Sequence, residues 1–210
     1  MKKIETISKY LSEMFPNPKC ELSYKTSWQL LVATILSAQC TDRQVNKVTP
    51  KLFQKYPNVQ SMSKAKIETI EKLIYSTGFY RNKAKNIIAA SDMIMQEFNG
   101  KIPKNMENLL RLPGVARKTA NIILGECFGI QAGIAVDTHV KRISRKLALS
   151  KENTPEKIEK DLMNIFPKKE WTNFSHRLIL FGRNICNAKK PNCQICKIHK
   201  YCLYYKDIEN

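Results

Sequence analysis

Acidic residues are scarce in this sequence: 18 Asp and Glu stand against 36 Lys and Arg in 210 residues, a formal net charge of +18. Such an excess goes beyond what solubility requires and points to a polyanionic partner. Nucleic acid comes first, with an anionic membrane surface or an acidic protein behind it. Long apolar runs are missing too. None approaches the roughly 20 residues a spanning helix needs, and the start MKKIETISKY leads into an amphipathic pattern without the apolar core of a signal peptide. A cytoplasmic or nucleoid-associated protein without a membrane partner is therefore expected. Glycine is sparse, at 7 residues, and no low-complexity linker or internal repeat divides the chain. Alternating apolar and polar runs with hairpin dipeptides are absent, which argues against a β-rich fold. With 43% hydrophobic residues, the chain has the material for a buried core.

What is present has a helical period. Ile4, Ile7, Leu11 and Met14 form one stripe, and Trp28, Leu31, Val32, Ile35 and Leu36 form another after the capping residues Thr26 and Ser27. Asp42 opens a third stripe with Val45, Val48, Leu52 and Phe53. Ser63 is placed to cap a fourth, carrying Ile67, Ile70 and Ile74 and stopping at Gly78. Ala84, Ile88, Met95 and Phe98 share a face that ends at Gly100. A short segment around Leu109 and Leu110, a helix from about Ala116 to Phe128, and periodic stretches at 138–149, 155–166 and 171–182 complete an all-α reading. The extended stretch GIQAGIAVD, residues 129–137, is the best candidate boundary between two helical lobes.

Within LPGVARKTAN, residues 112–121, Pro113 disfavours helix at Leu112 while Gly114 accepts backbone angles that other residues resist. A short helix before this turn and a longer one after it make a helix-hairpin-helix. Its outward amides suit a phosphate and bind nucleic-acid backbone without reading sequence. The same dipeptide also serves plain helix-helix turns.

Seven cysteines are an odd number for a disulfide framework, and four crowd into residues 186–202. Cys186, Cys193, Cys196 and Cys202 are spaced C-x6-C-x2-C-x5-C, a run able to wrap one zinc ion or one iron-sulfur cube. His199 lies inside the run and reads as a surface residue. Cys20, Cys40 and Cys127, in or beside helical stripes, read as buried thiols.

Taken in order, LSAQCTD (36–42), LPGVARKTAN (112–121), VDTHVKR (136–142) and the cysteine run resemble the endonuclease III family of DNA glycosylases, of the helix-hairpin-helix superfamily. Ala116 departs from the pattern, standing where many relatives carry a second glycine. The resemblance implies two helical lobes with a cleft between them. Residues 22–130 would form a barrel lobe holding the hairpin at about 106–128, and residues 1–21 with 131–210 a second lobe carrying a [4Fe-4S] cluster on the four cysteines. It further implies a bifunctional glycosylase and abasic-site lyase acting, as a monomer, on oxidised pyrimidines in double-stranded DNA.

The resemblance makes Lys118 the nucleophile and Asp137 the carboxylate that assists it. Chemistry agrees, because a lysine amine in its neutral form can capture an anomeric carbon as a Schiff base. Asp137 also reads as an ordinary N-cap. Gln39 and Phe79 match the family's positions for filling the gap behind an extruded nucleotide, though Phe79 beside a glycine also fits a core residue. Leu112, Gly114, Ala116, Lys189 and Lys190 are placed as DNA-backbone contacts, and His139 as either a DNA contact or a structural histidine. Two competing functions remain: a mismatch glycosylase of the same superfamily, whose members replace the lysine, and a non-enzymatic iron-sulfur DNA-binding or redox-sensing module.

Overall fold

In the computed structural model the described backbone spans residues 2–209 and the described side chains residues 2–206. Among them are twelve α-helices and no strand. In chain order the helices are α1 (Lys2–Met14), α2 (Ser27–Leu36), α3 (Asp42–Lys55), α4 (Val59–Ser63), α5 (Ile67–Ile74), α6 (Tyr80–Glu97), α7 (Met106–Arg111), α8 (Arg117–Phe128), α9 (Thr138–Lys146), α10 (Pro155–Ile165), α11 (Trp171–Asn184) and α12 (Leu203–Glu209). The chain divides into two compact units. Cys20–Ile130 forms one, and Met1–Lys19 joins Gln131–Asn210 in the other.

In the unit of residues 20–130, α2 is the central post. Thr26 caps it by accepting from the Gln29 amide at 3.2 Å, and eight of its ten residues are buried, from Trp28 through Leu36 with Gln29 the exception. A helix apolar on all sides is stable only when surrounded, and α3, α6 and α8 pack around it. The other unit has its own core, in which α11 carries Phe174, Leu178 and Phe181 against Ile7 and Leu11 of α1 and Val140 and Ile143 of α9. Phe166 and Phe174 stack with ring centroids 3.7 Å apart.

The structure departs from the sequence reading around α4, at the start of α5 and on the buried face of α6. Ser63 is not a cap but the last residue of α4, a five-residue helix opened by a capping box between Asn58 and Ser61 and too short to show a period. Helix α5 then starts at Ile67 without a side-chain cap. On α6 the buried face is Lys83, Ala84, Ile87, Ala90, Ser91 and Ile94, whereas Ile88 and Met95 are only half-buried. The stripe is displaced by about one residue because Lys83, polar by type, belongs to the buried face.

Candidate functional site

Between α7 and α8 the chain turns through Leu112–Val115, closed by the Val115 amide donating to the Leu112 carbonyl at 3.1 Å. Pro113 precedes Gly114, whose φ is +79°, the arrangement of a type II turn. Leu112 and Val115 anchor the turn in the core at 2% and 7% exposure, leaving Gly114 exposed. Leu112 is therefore a packing residue and the backbone is what the turn presents. Ala116, at φ −96° and ψ 170°, occupies the N-cap position of α8 without a side-chain cap bond. That backbone is ordinary extended chain, so the missing second glycine costs no strain. The first intrahelical bond runs from the Ala120 amide to the Ala116 carbonyl at 3.0 Å, which leaves the first-turn amides of α8 directed outward. Lys118 is the second residue of that helix and is exposed. Cys20 lies near enough to feel it: burial pushes the Cys20 thiol up to about 11, Glu126 and Asp42 push the same way, and Lys118 opposes them.

Asp137, in the other unit, caps α9. Its Oδ1 accepts from the His139 and Val140 amides at 2.8 and 2.9 Å, so both bonds use one carboxylate oxygen. His139 is half-buried, with Nδ1 3.3 Å from an Arg142 Nη2, and packs against Gly182 of α11. The same Arg142 nitrogen donates to the carbonyls of Gly182 at 3.1 Å and Cys186 at 2.7 Å. A Cβ on Gly182 would stand 2.8 Å from His139 Nδ1 and 2.9 Å from Ile143 Cδ1, so α9 and α11 approach this closely only over glycine. These contacts fit a structural histidine, and the residue keeps part of its surface open. Neither Gly182 nor Arg142 stood out in the sequence, because their importance lies in a contact between distant helices.

Gln39 and Phe79 are both exposed, Phe79 at 64%, and both have left-handed backbones at φ 52° and 48°. Phe79 is thus not a core residue. It occupies the N-cap position of α6, directly before Tyr80, whose ring centroid is 4.9 Å from that of Tyr75.

Cys186, Cys193, Cys196 and Cys202 line one small cavity together with Lys146, His199, Tyr204 and Tyr205. Burial pushes the Cys196 thiol up to about 11, with Cys186, Cys202 and Cys193 adding to the shift. Burial raises Cys186 as well, and Lys146 and Arg142 oppose it. Among the described residues no three His, Cys, Asp or Glu side chains converge tightly enough to hold a single metal ion. The four thiols share that cavity, and Lys146 and Arg142 beside them offset thiolate charge. His199 is not a surface residue. It is half-buried, its Nδ1 is bonded to the Cys196 carbonyl, and its ring lies 4.7 Å from that of Tyr205. Lys189 and Lys190 are exposed in the first loop, where the Lys190 amide donates to Asn187 Oδ1 at 3.1 Å.

Comparison with known proteins agrees with this geometry. The profile described as "HhH-GPD superfamily base excision DNA repair protein" matches residues 32–168. An endonuclease III of Synechocystis sp. is 54% identical over 91% of this chain and 88% of its own length. A solved non-covalent endonuclease III–DNA complex superposes with a TM-score of 0.95 at 42% identity, covering 99% of this chain and 97% of that one. A trapped endonuclease III–DNA covalent intermediate does so at 0.93 and 41% identity, covering 99% of both chains. Matches of this extent and identity show that the chain belongs to the HhH-GPD superfamily of base excision DNA repair proteins and, within it, to the endonuclease III family.

Proposed function

We propose that this protein is a bifunctional DNA glycosylase and abasic-site lyase that removes oxidised pyrimidines from duplex DNA during base excision repair. The observation that carries the reading is the placement of Lys118, exposed on the first turn of α8 directly after the Leu112–Val115 turn. Outward amides of that turn and of the first turn of α8 hold a phosphate, and Lys118 is presented beside the backbone they grip. Its neutral amine attacks C1′, and the bond from C1′ to the base breaks with its electron pair leaving on the base, which takes up a proton. The amine loses a proton and the sugar ring opens to the Schiff base. Removal of a C2′ proton then expels the 3′ phosphate oxygen with its electron pair and cuts the strand 3′ to the lesion. Water finally releases Lys118. Asp137 receives the amine proton, stabilises positive charge on the sugar, or does both. Covalent capture in the family has a parallel in the trapped endonuclease III–DNA intermediate that this fold matches. Lys118 itself separates the reading from the mismatch enzymes, which replace it, and from a purely DNA-binding module, which has no use for it.

Gln39 and Phe79 fill the gap left by the extruded nucleotide, and Lys189 and Lys190 hold backbone phosphate. The protein works as a monomer on damaged or abasic duplex DNA in the cytoplasm or nucleoid. Cys186, Cys193, Cys196 and Cys202 hold a [4Fe-4S] cluster that, when bound, cross-links the C-terminal loops. Purified protein is then brown, with a broad visible absorption band; a colourless preparation containing zinc would overturn the assignment.

Borohydride trapping on DNA carrying an oxidised pyrimidine tests the chemistry. Wild-type protein gives a covalent adduct, and Lys118→Ala loses it while keeping its affinity for DNA. Absence of a wild-type adduct removes the lyase, and a large loss of affinity in Lys118→Ala makes the residue a phosphate anchor.

A further inference from the structure

Lys83 is 4% exposed, and its ammonium donates to two carbonyls, those of Leu36 and Thr77, each at 2.8 Å. Burying an ammonium is costly, and an apolar residue would fill the same space without that cost. Burial accordingly lowers the Lys83 pKa, while the Cys40 thiol opposes the shift. The two acceptors are special. Leu36 is the last residue of α2, and Thr77 ends the short 3₁₀ turn Tyr75–Thr77. Carbonyls at helix ends lack an intrahelical donor and carry the negative end of the dipole, so one cation satisfies two such ends at once.

Each carbonyl stands just before one of the DNA-facing loops. Gln39 comes three residues after Leu36, and Phe79 two residues after Thr77. Both are left-handed, two of the four non-glycine residues with positive φ among those described. Such a backbone costs about 1–2 kcal/mol for each L-residue and persists only where its surroundings enforce it. The Lys83 amide also donates to the Phe79 carbonyl at 3.1 Å, so the residue grips that loop through main chain and side chain together. A second tie, from Gln44 Nε2 to Ser76 Oγ at 2.6 Å, joins the start of α3, just after the Gln39 loop, to the 3₁₀ turn before Phe79.

We propose that Lys83 is a positioning residue that locks the Gln39 and Phe79 loops into one pre-set unit, through a single buried ammonium bonded to both Leu36 and Thr77. The proposal rests on the reading of Gln39 and Phe79 as the residues that replace the extruded nucleotide. With both loops ordered in the free protein, less conformational entropy is lost when they enter the duplex. A paired lesion, which must be extruded, depends on this ordering, and a lesion in single-stranded DNA does not.

Lys83→Met, similar in length but without donors, tests the idea in single-turnover excision of one lesion from duplex and from single-stranded DNA. A 2-aminopurine opposite the lesion reports unstacking. The ratio of duplex to single-strand rates falls about tenfold, as expected from losing about 1.4 kcal/mol of pre-ordering, and the fluorescence rise on binding shrinks. In a Gln39→Ala, Phe79→Ala background the same substitution costs less than about twofold, because nothing remains to be positioned. If that double variant processes a paired lesion at the wild-type rate, the reading of the two loops fails and the proposal with it. If the double variant is impaired but Lys83→Met keeps the wild-type ratio, or costs the same in both backgrounds, the positioning role alone fails. Circular dichroism checks folding. Should Lys83→Met not fold, Lys83→Gln, which keeps two N–H donors but neither charge nor reach, is put through the same cycle and judged by the same outcomes.

Discussion

Gly114 lies directly against Asn86: a Cβ added to the glycine would stand 3.0 Å from both the Asn86 Cβ and its Nδ2. The hairpin turn is thus seated on α6, and its φ of +79° is only half of the reason for glycine. Gly129 provides the control, with φ at +65° and nothing within 4 Å of an added Cβ. Gly114→Ala is expected to cost about 2–3 kcal/mol, strain plus contact, and Gly129→Ala about 1 kcal/mol from strain alone. Denaturant unfolding of both variants measures the difference. Affinity for undamaged duplex should fall only in Gly114→Ala, since only that turn presents amides to a phosphate.

Asp137 holds two amides through one oxygen, so its capping and chemical roles can be separated. Asn is as good an N-cap as Asp, and Asp137→Asn should change stability by less than about 0.5 kcal/mol. Loss of the carboxylate should nevertheless slow single-turnover excision by about 100-fold or more. Asp137→Ala should lose both activity and about 1 kcal/mol of stability. A full-rate Asp137→Asn would reduce the residue to a helix cap.

Gly182→Ala tests the α9–α11 contact. Alanine gains helix propensity of up to about 1 kcal/mol, but its methyl meets His139 and Ile143 at separations that require the helices to part, costing about 2–3 kcal/mol. Arg142 bridges Gly182 and Cys186, so the change reaches the cysteine loop. Faster bleaching of the visible band in air, alongside a lower unfolding midpoint, is the expected result; unchanged bleaching would confine the contact to packing.

Alkaline pH should weaken the unit of residues 20–130. The Cys20 and Cys127 thiols are each pushed up to about 11 from an ordinary value of 9.0, by burial first and by Glu126 next among the neighbouring charges. Between these values the folded chain keeps protons that the unfolded chain has released, so stability falls as pH rises and levels off above about 11. Burial and the hydrogen bond to Glu126 raise Tyr24 in the same direction. Unfolding midpoints measured from pH 8 to 10.5 should decline, and Cys20→Ala should flatten part of the slope. An unchanged slope in that variant would remove Cys20 as a source.

Local order was largely legible in the residues themselves. Thr26 before an apolar stripe announced α2, and Pro113 with Gly114 announced the turn, because caps and turns depend on neighbours in sequence. Helix α4 escaped notice since five residues cannot display a period. Lys83 escaped for a different reason: its type suggests solvent, and only the convergence of two helix ends makes its burial tolerable.

By itself the sequence determined an all-helical chain with a basic surface, a hairpin turn placing Lys118 at a helix start, and four cysteines on one short segment. These arise from periodicity, backbone preference and spacing, which act over a few residues. Tertiary structure decided that Gln39 and Phe79 are left-handed and exposed, that Ala116 is unstrained, that Gly182 admits His139, and that one lysine serves two loops. The last two depend on segments far apart in the chain coming within a few ångströms of each other, a condition that no local pattern encodes.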